Sequence, residues 1–170
     1  EAKRAQIGSK EFLQILEEKP TVIDTSKPVE PDQIKGRITF ENVSFSYDSG
    51  AKVFENLSFS VKPGTTLAVV GPSGAGKSTL ASLILRFYDP QQGRILVDGI
   101  DIRNLSQRRL RKEIGFVMQD SFLFADTVEE NLRYGKADAS LKEMEQACRI
   151  ANAHDFIVKL KNGYKTVIGE

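Results

Sequence analysis

The chain is short of cysteine, of histidine and of any excess of charge. Cys148 is its one cysteine, which excludes an internal disulfide framework and fits a reducing compartment. His154 is its one histidine, and no metal-ligand spacing surrounds it or Cys148, so no zinc site is indicated. Lys plus Arg is 24 and Asp plus Glu is 23, a net charge of +1. That balance supplies no basic field, and a nucleic-acid partner is not expected. No apolar run approaches the length of a membrane span. The segment Glu1 to Lys10 is charged throughout and does not read as a secretory signal. What remains is an ordinary apolar share in 170 residues. One domain is expected, or one small domain with an appendage, with roughly 70% of the unfolded surface buried.

Along the chain the patterning changes several times. Glu1 to Glu18 predicts a helix, with Phe12, Leu13, Ile15 and Leu16 on one face and Pro20 as its stop. It reads either as a helix packed on its own domain or as the tail of a longer helix from a preceding one. Lys19 to Gly36 carries Pro20, Pro28 and Pro31 among polar residues and reads as an extended linker. From Arg37 the period becomes two. Ile38 and Phe40 alternate, then Val43, Phe45 and Tyr47 on the other parity, a switch that predicts a bulge near Glu41–Asn42. A hairpin through Val53, Leu57, Phe59 and Val61 follows. Thr65 to Val70 is expected to be a buried parallel strand. Lys77 to Phe87 is expected to be a helix with Leu80, Leu83, Ile84 and Phe87 as its stripe. Arg94–Val97 and Ile114–Met118 are expected strands, with a short basic helix between them. Thr127 with Glu130, and Ser140 with Glu143, have capping-box spacing.

Gly71-Pro72-Ser73-Gly74-Ala75-Gly76-Lys77-Ser78 matches the phosphate-binding loop pattern G-x-x-x-x-G-K-[ST] without a gap. Its context is the one the chemistry needs, an apolar run before it and a helix after it. Glycines let the backbone wrap oxygens closely. Successive N–H groups and the helix N-terminus offer partial positive charge to an anion. Lys77 would reach the β- and γ-phosphates, Ser78 would ligate Mg²⁺, and Thr79 would lie near the α-phosphate. A glycine-rich turn without function has no reason to set Lys and Ser together after the last glycine.

Other residues read two ways from the sequence alone. Gln119 ends an apolar run, where its amide could meet a metal or γ-phosphate or could simply be solvated. Tyr47 precedes a turn, where it could stack on a purine or sit half-buried at an edge. His154 reads as a surface or capping residue. The run Arg108 to Lys112 reads as a solvated face.

Taken in order, Ile38 to Tyr47, Gly71 to Thr79, Arg86-Phe87-Tyr88-Asp89-Pro90, Gly93 to Asp98, Val117 to Asp120, Thr127 to Leu132 and Gly163 to Glu170 resemble the nucleotide-binding domain of ABC transporters. The likeness is closest to exporters that carry membrane and nucleotide domains on one polypeptide. It implies an α/β fold, a P-loop NTPase core with an antiparallel β-subdomain. Residues 37–170 would be the N-terminal part of the ATP-binding domain, and residues 1–36 a linker helix and Pro-rich connector from a preceding transmembrane domain. The implied cofactors are ATP and Mg²⁺. Tyr47 resembles the aromatic that stacks on adenine, with Val53 flanking base or ribose. Gly71, Pro72, Ser73, Gly74, Ala75, Gly76, Lys77, Ser78 and Thr79 resemble the phosphate cradle. Gln119 resembles the glutamine that ligates Mg²⁺ and senses the γ-phosphate, so Lys77 and Gln119 are the implied catalytic residues.

The resemblance further implies a transmembrane domain of the same transporter and a second nucleotide-binding domain, in a homodimer or heterodimer, as partners. The transported substrate would touch only the membrane domain, and the assembly would lie at the cytoplasmic face of the membrane. Asp120 to Phe124 would lie near the groove for a coupling helix, and Thr166 to Glu170 would begin the exporter X-loop. The family's signature motif, Walker B strand, catalytic glutamate and switch histidine follow the last residue given. Asp98 and Asp101 are not preceded by the four apolar residues a Walker B aspartate needs, and Asp126 is followed by Thr127 rather than by a glutamate. The expectation is half an ATP site without a general base, a central sheet incomplete at its C-terminal side, and no turnover by this chain alone. The alternatives are a nucleotide-binding module without hydrolysis and a soluble ABC-type ATPase.

Overall fold

The computed structural model describes residues 18–47, 50–119 and 122–169. The helix expected over Glu1 to Glu18 thus lies outside the described residues but for its last. The chain divides into two compact units after Gly115.

The first unit is built on an antiparallel sheet in the order β2-β1-β3-β4. Strands β1 (Ile38–Ser46) and β2 (Lys52–Val61) form the expected hairpin, and Phe40 faces Phe59 with ring centroids 4.6 Å apart. Strand β3 (Gln92–Val97) pairs with the other edge of β1, and β4 (Ile100–Asp101) folds back on β3. The change of parity is a bulge, as expected. The register shifts between Phe40 and Val43 on one side and between Glu41 and Ser44 on the other, with Asn42 at φ 49°. The bulge turns Phe40, Val43 and Phe45 all inward, and all three are buried. Helix α1 (Lys77–Ile84) adds Leu83 to this core, and α2 (Gln107–Lys112), capped by Ser106, adds Leu110. Full burial of a side chain such as Phe40 stabilises by roughly 1.5–3 kcal/mol.

The proline-rich stretch is tied to the sheet unit. Val29 donates to the Asn104 carbonyl at 2.7 Å, and Ser106 donates back to Val29 at 3.2 Å. The Asp98 carboxylate accepts from the backbone N–H groups of Lys35, Gly36 and Arg37. Nor is the basic run a solvated face throughout. Arg109 donates to the Pro31 and Asp32 carbonyls, and Arg111 to those of Leu85 and Arg86, while its guanidinium lies 5.0 Å from the Phe87 ring centre. The carbonyls at the end of α1 need donors, and Arg111 supplies them.

Thr65–Val70 is not the buried strand its composition predicts. It joins no ladder among the described residues, and Val70 is 90% exposed. The strand expected over Ile114–Met118 likewise joins no ladder among the described residues, with Val117 90% exposed. Such a strand is buried only when neighbours bond both its edges, and no described strand flanks either run.

The second unit pairs β5 (Asp126–Thr127) antiparallel to β6 (Val167–Ile168). Thr127 caps α3 (Val128–Arg133), accepting from the Glu130 N–H, and Ser140 with Glu143 forms a complete capping box on α4 (Leu141–Ile150). Val128, Cys148, Ile157 and Tyr164 form its core. His154 opens the single turn α5 (His154–Ile157) and is buried rather than on the surface, its Nδ1 2.9 Å from the Tyr164 hydroxyl. The face it presents is the one that packs on Tyr164, which the sequence spacing does not reveal.

Candidate functional site

The loop Gly71–Gly76 leads directly into α1. The Ala75 N–H donates to the Pro72 carbonyl, which closes the loop on itself, and the Leu80 N–H donates to Gly76 as the first helical bond. Gly74 and Gly76 adopt φ +80° and +87°, a left-handed backbone that L side chains rarely take. At Gly76 space forbids a side chain as well. A Cβ there would lie 2.7 Å from Val53 Cγ1 and 2.8 Å from the Phe54 ring. The loop therefore seats on β2 by backbone, and its N–H groups lie at the amino end of a helix, where partial positive charge gathers.

The side chains follow from that placement. Lys77 is exposed, and its Nζ donates to the Gly71 carbonyl at 2.8 Å and the Pro72 carbonyl at 2.7 Å. The ammonium thus bridges the start of the loop. Ser78 is exposed on the first turn of α1, and Thr79 is buried. The Tyr47 hydroxyl lies 3.0 Å from Thr79 Oγ1. The Tyr47 ring is set edge-to-face against Phe45, centroids 5.0 Å apart, and against Tyr88 at 5.2 Å. Gly71, Pro72, Ser73, Gly74 and Ala75 are exposed, while Gly76 is enclosed.

The first unit therefore brings together Tyr47, Val53 and Gly71 through Thr79, residues that stand up to 32 positions apart. Gln119 belongs to the second unit, exposed at a bend. The set can bind an extended polyanion: a backbone cradle, one mobile cation, one hydroxyl at the helix start, and an aromatic ring at one end. A triphosphate with a planar base fits that chemistry, and the exposed Ser78 hydroxyl fits a hard divalent cation.

Two residues escape the sequence reading. Arg86 is 2% exposed and donates to Asp24, Asp89 and the carbonyls of Ile23 and Leu105. The available signal was an arginine ending an apolar helix stripe with an acid three residues on. In the second unit, Asn131 accepts from the Phe124 N–H and donates to the carbonyls of Phe124 and Thr127, which pins the turn before α3.

Residues 54–167 match a family model described as ABC transporter. The chain is similar to an uncharacterized ABC transporter ATP-binding protein, YfiC, of Bacillus subtilis, at 47% identity over 161 residues, which is 95% of this chain and 27% of YfiC. It is similar to the Beta-(1-->2)glucan export ATP-binding/permease protein NdvA of Nitrobacter winogradskyi, at 47% identity over 161 residues, 95% of this chain and 26% of NdvA. Among solved structures it resembles a bacterial Atm1-family ABC exporter with ATP bound, with a TM-score of 0.87 and 42% identity over 99% of this chain and 30% of that one. The chain spans about a quarter of the length of YfiC and NdvA.

Proposed function

Because the chain belongs to the ABC transporter ATP-binding family, we propose that it binds Mg·ATP through Gly71–Thr79 and serves an exporter as its ATPase domain. The observation that carries the reading is the Lys77 ammonium held over the Gly71 and Pro72 carbonyls at the amino end of α1. A bound polyphosphate would draw that ammonium off neutral carbonyls and onto charged oxygens, a stronger class of bond. The amides of Gly74, Gly76 and Lys77 hold the β- and γ-phosphates, and Lys77 stabilises the charge that spreads over the transferring phosphoryl group. Tyr47 stacks on the base, and Val53, seated against Gly76, flanks it. Mg²⁺, when bound, would supply positive charge to the phosphate oxygens; Ser78 and Gln119 are the residues that would hold it.

The assembly proposed around this domain has four parts. Residues 1–36 connect to a preceding transmembrane domain, and residues 37–170 are the N-terminal part of the ATP-binding domain. A second such domain, identical or not, completes the ATP sites. The transported substrate touches only the membrane domain, and the ATPase faces the cytoplasm. The ATP-binding/permease name of NdvA and the short span of this chain within its relatives support that arrangement.

Titration of the chain with Mg·ATP tests the core of the proposal. Lys77→Ala is expected to weaken binding about tenfold or more, ~1.4 kcal/mol. Equal affinity in the variant refutes the phosphate cradle. A second reading, binding without hydrolysis by this chain alone, is favoured because no aspartate here is both preceded by four apolar residues and followed by a glutamate. A phosphate-release assay separates the two: release that disappears in Lys77→Ala excludes it.

A further inference from the structure

Beside Tyr47 lies a cavity of about 520 Å³, whose walls include Thr21 and Val22 of the proline-rich segment together with Phe45, Tyr47, Tyr88 and Asp89. That segment is about 25 positions before Tyr47, yet it lines the same cavity as the ring. What holds it there is Arg86. Arg86 takes a left-handed backbone, φ 53°, where α1 ends, and so directs the chain into the turn that carries Tyr88 and Asp89. Its guanidinium binds Asp24 Oδ1 at 3.0 Å, the Ile23 carbonyl at 3.1 Å, the Leu105 carbonyl at 3.2 Å and Asp89 Oδ1 at 3.1 Å. Asp24 also accepts from the backbone and side-chain N–H groups of Gln107. One buried cation thus fastens the incoming segment and the Tyr88 turn at the same point. Beyond that turn, Gln91 exchanges two hydrogen bonds with the Ser46 backbone, next to Tyr47.

We propose that Arg86 and Asp24 are positioning residues for base recognition: they fix Thr21–Asp24 and Tyr88 beside Tyr47 and so set the ring that receives the nucleotide base. The inference rests on the proposed stacking role of Tyr47. The chain of contact is Asp24 to Arg86, Arg86 to the Asp89 turn, Tyr88 to Tyr47. It reaches the aromatic end of the site; the phosphate end, joined to it by the Tyr47 hydroxyl and Thr79 Oγ1 at 3.0 Å, is held chiefly by α1 and Lys77. The arrangement makes the segment entering the unit part of the nucleotide site. By linkage, base binding must in turn steady that segment.

The test compares Mg·ATP with Mg·tripolyphosphate, which carries the anion without the base, on the full chain. Asp24→Asn removes the charge, and Arg86→Lys keeps the charge but cannot make four bonds at once. Both are expected to weaken Mg·ATP about fivefold and leave Mg·tripolyphosphate unchanged. Val22→Ala, which spares the buried ion pair, is expected to act in the same direction and decides the matter if the charge variants do not fold. Parallel loss of both ligands, or no change in either, overturns the inference. Tyr47→Ala separates it from the reading beneath it. If Tyr47→Ala retains full preference for ATP over tripolyphosphate, the stacking role falls, and the inference with it. If Tyr47→Ala loses that preference while the Asp24, Arg86 and Val22 variants retain it, only the inference falls.

Discussion

The Tyr47 hydroxyl and Thr79 Oγ1 lie 3.0 Å apart, so the aromatic end of the site is bonded to the first turn of the helix that carries the loop. The bond orients the ring, and the ring satisfies a buried hydroxyl. Tyr47→Phe keeps the stacking surface and removes the bond. It is expected to lower stability by about 1 kcal/mol and to change Mg·ATP affinity by less than about fivefold. Tyr47→Ala is expected to reduce Mg·ATP affinity further and to leave Mg·tripolyphosphate binding near the parent value. Equilibrium titration of both variants, with urea unfolding alongside, checks the pair.

Gly76 is confined twice, by φ +87° and by Val53 and Phe54 at its back. Gly76→Ala is expected to destabilise the first unit by about 1–3 kcal/mol and to abolish tight Mg·ATP binding. Val53→Ala alone costs about 1–2 kcal/mol through lost packing. In the double variant the smaller side chain relieves the Val53 contact while the Phe54 ring still crowds the new methyl group, so the losses fall short of additive by about 1 kcal/mol. The φ strain remains, and binding stays weak. Strictly additive losses would show that Val53 does not limit the loop.

Much of this was legible because short-range chemistry dictates it. The glycine pattern of 71–78, the two helix caps and the parity change at Glu41–Asn42 are local, and each is present. The ordered stretches that resemble ABC nucleotide-binding domains gave the family. Arg86 was hidden because burial of a guanidinium depends on partners 19 to 63 positions away, which no window reveals. Arg109 and Arg111 were misread for the same reason. Their charges suggest solvent, while their forked donors serve carbonyls of distant segments. Thr65–Val70 failed in the other direction. Its composition describes an environment, a sheet bonded on both edges, that the described residues do not provide.

Acid reaches α4's capping box late. Glu143 is held down to about 2, by the Lys136 ammonium at 2.6 Å first and then by the Ser140 backbone and hydroxyl. A carboxylate with its folded value lowered contributes stability that is complete above its ordinary value, 4.5, and is lost as pH falls toward 2. The carboxyl resonance of Glu143 is expected to titrate near pH 2, and Lys136→Ala to move the midpoint upward. A midpoint near 4.5 in the parent chain would show that neither partner holds it. Asp98 moves in the same direction. Burial raises it, but the N–H groups of Arg37, Lys35 and Gly36, aided by the Lys35 charge, outweigh that and lower it. Its share of stability is likewise lost as pH falls.

The buried pair His154–Tyr164 gives the second unit an alkaline limit. Burial, then Cys148 beside it, pushes the Tyr164 hydroxyl up to about 12, since the phenolate would be stranded in the core. The Tyr164 hydroxyl lies 2.9 Å from His154 Nδ1. A tyrosine with its folded value raised contributes stability that is complete below its ordinary value, 10, and is lost as pH rises toward 12. Absorbance titration is expected to show one of the 4 tyrosines ionising late, together with loss of helical signal. Tyr164→Phe removes the late step and leaves His154 without this partner, at a cost of about 1–3 kcal/mol at neutral pH. His154→Phe is expected to cost a similar amount and to leave the late ionisation in place, because burial, not the imidazole, is its first cause. If all 4 tyrosines ionise together near pH 10 in the folded chain, Tyr164 is not enclosed as described.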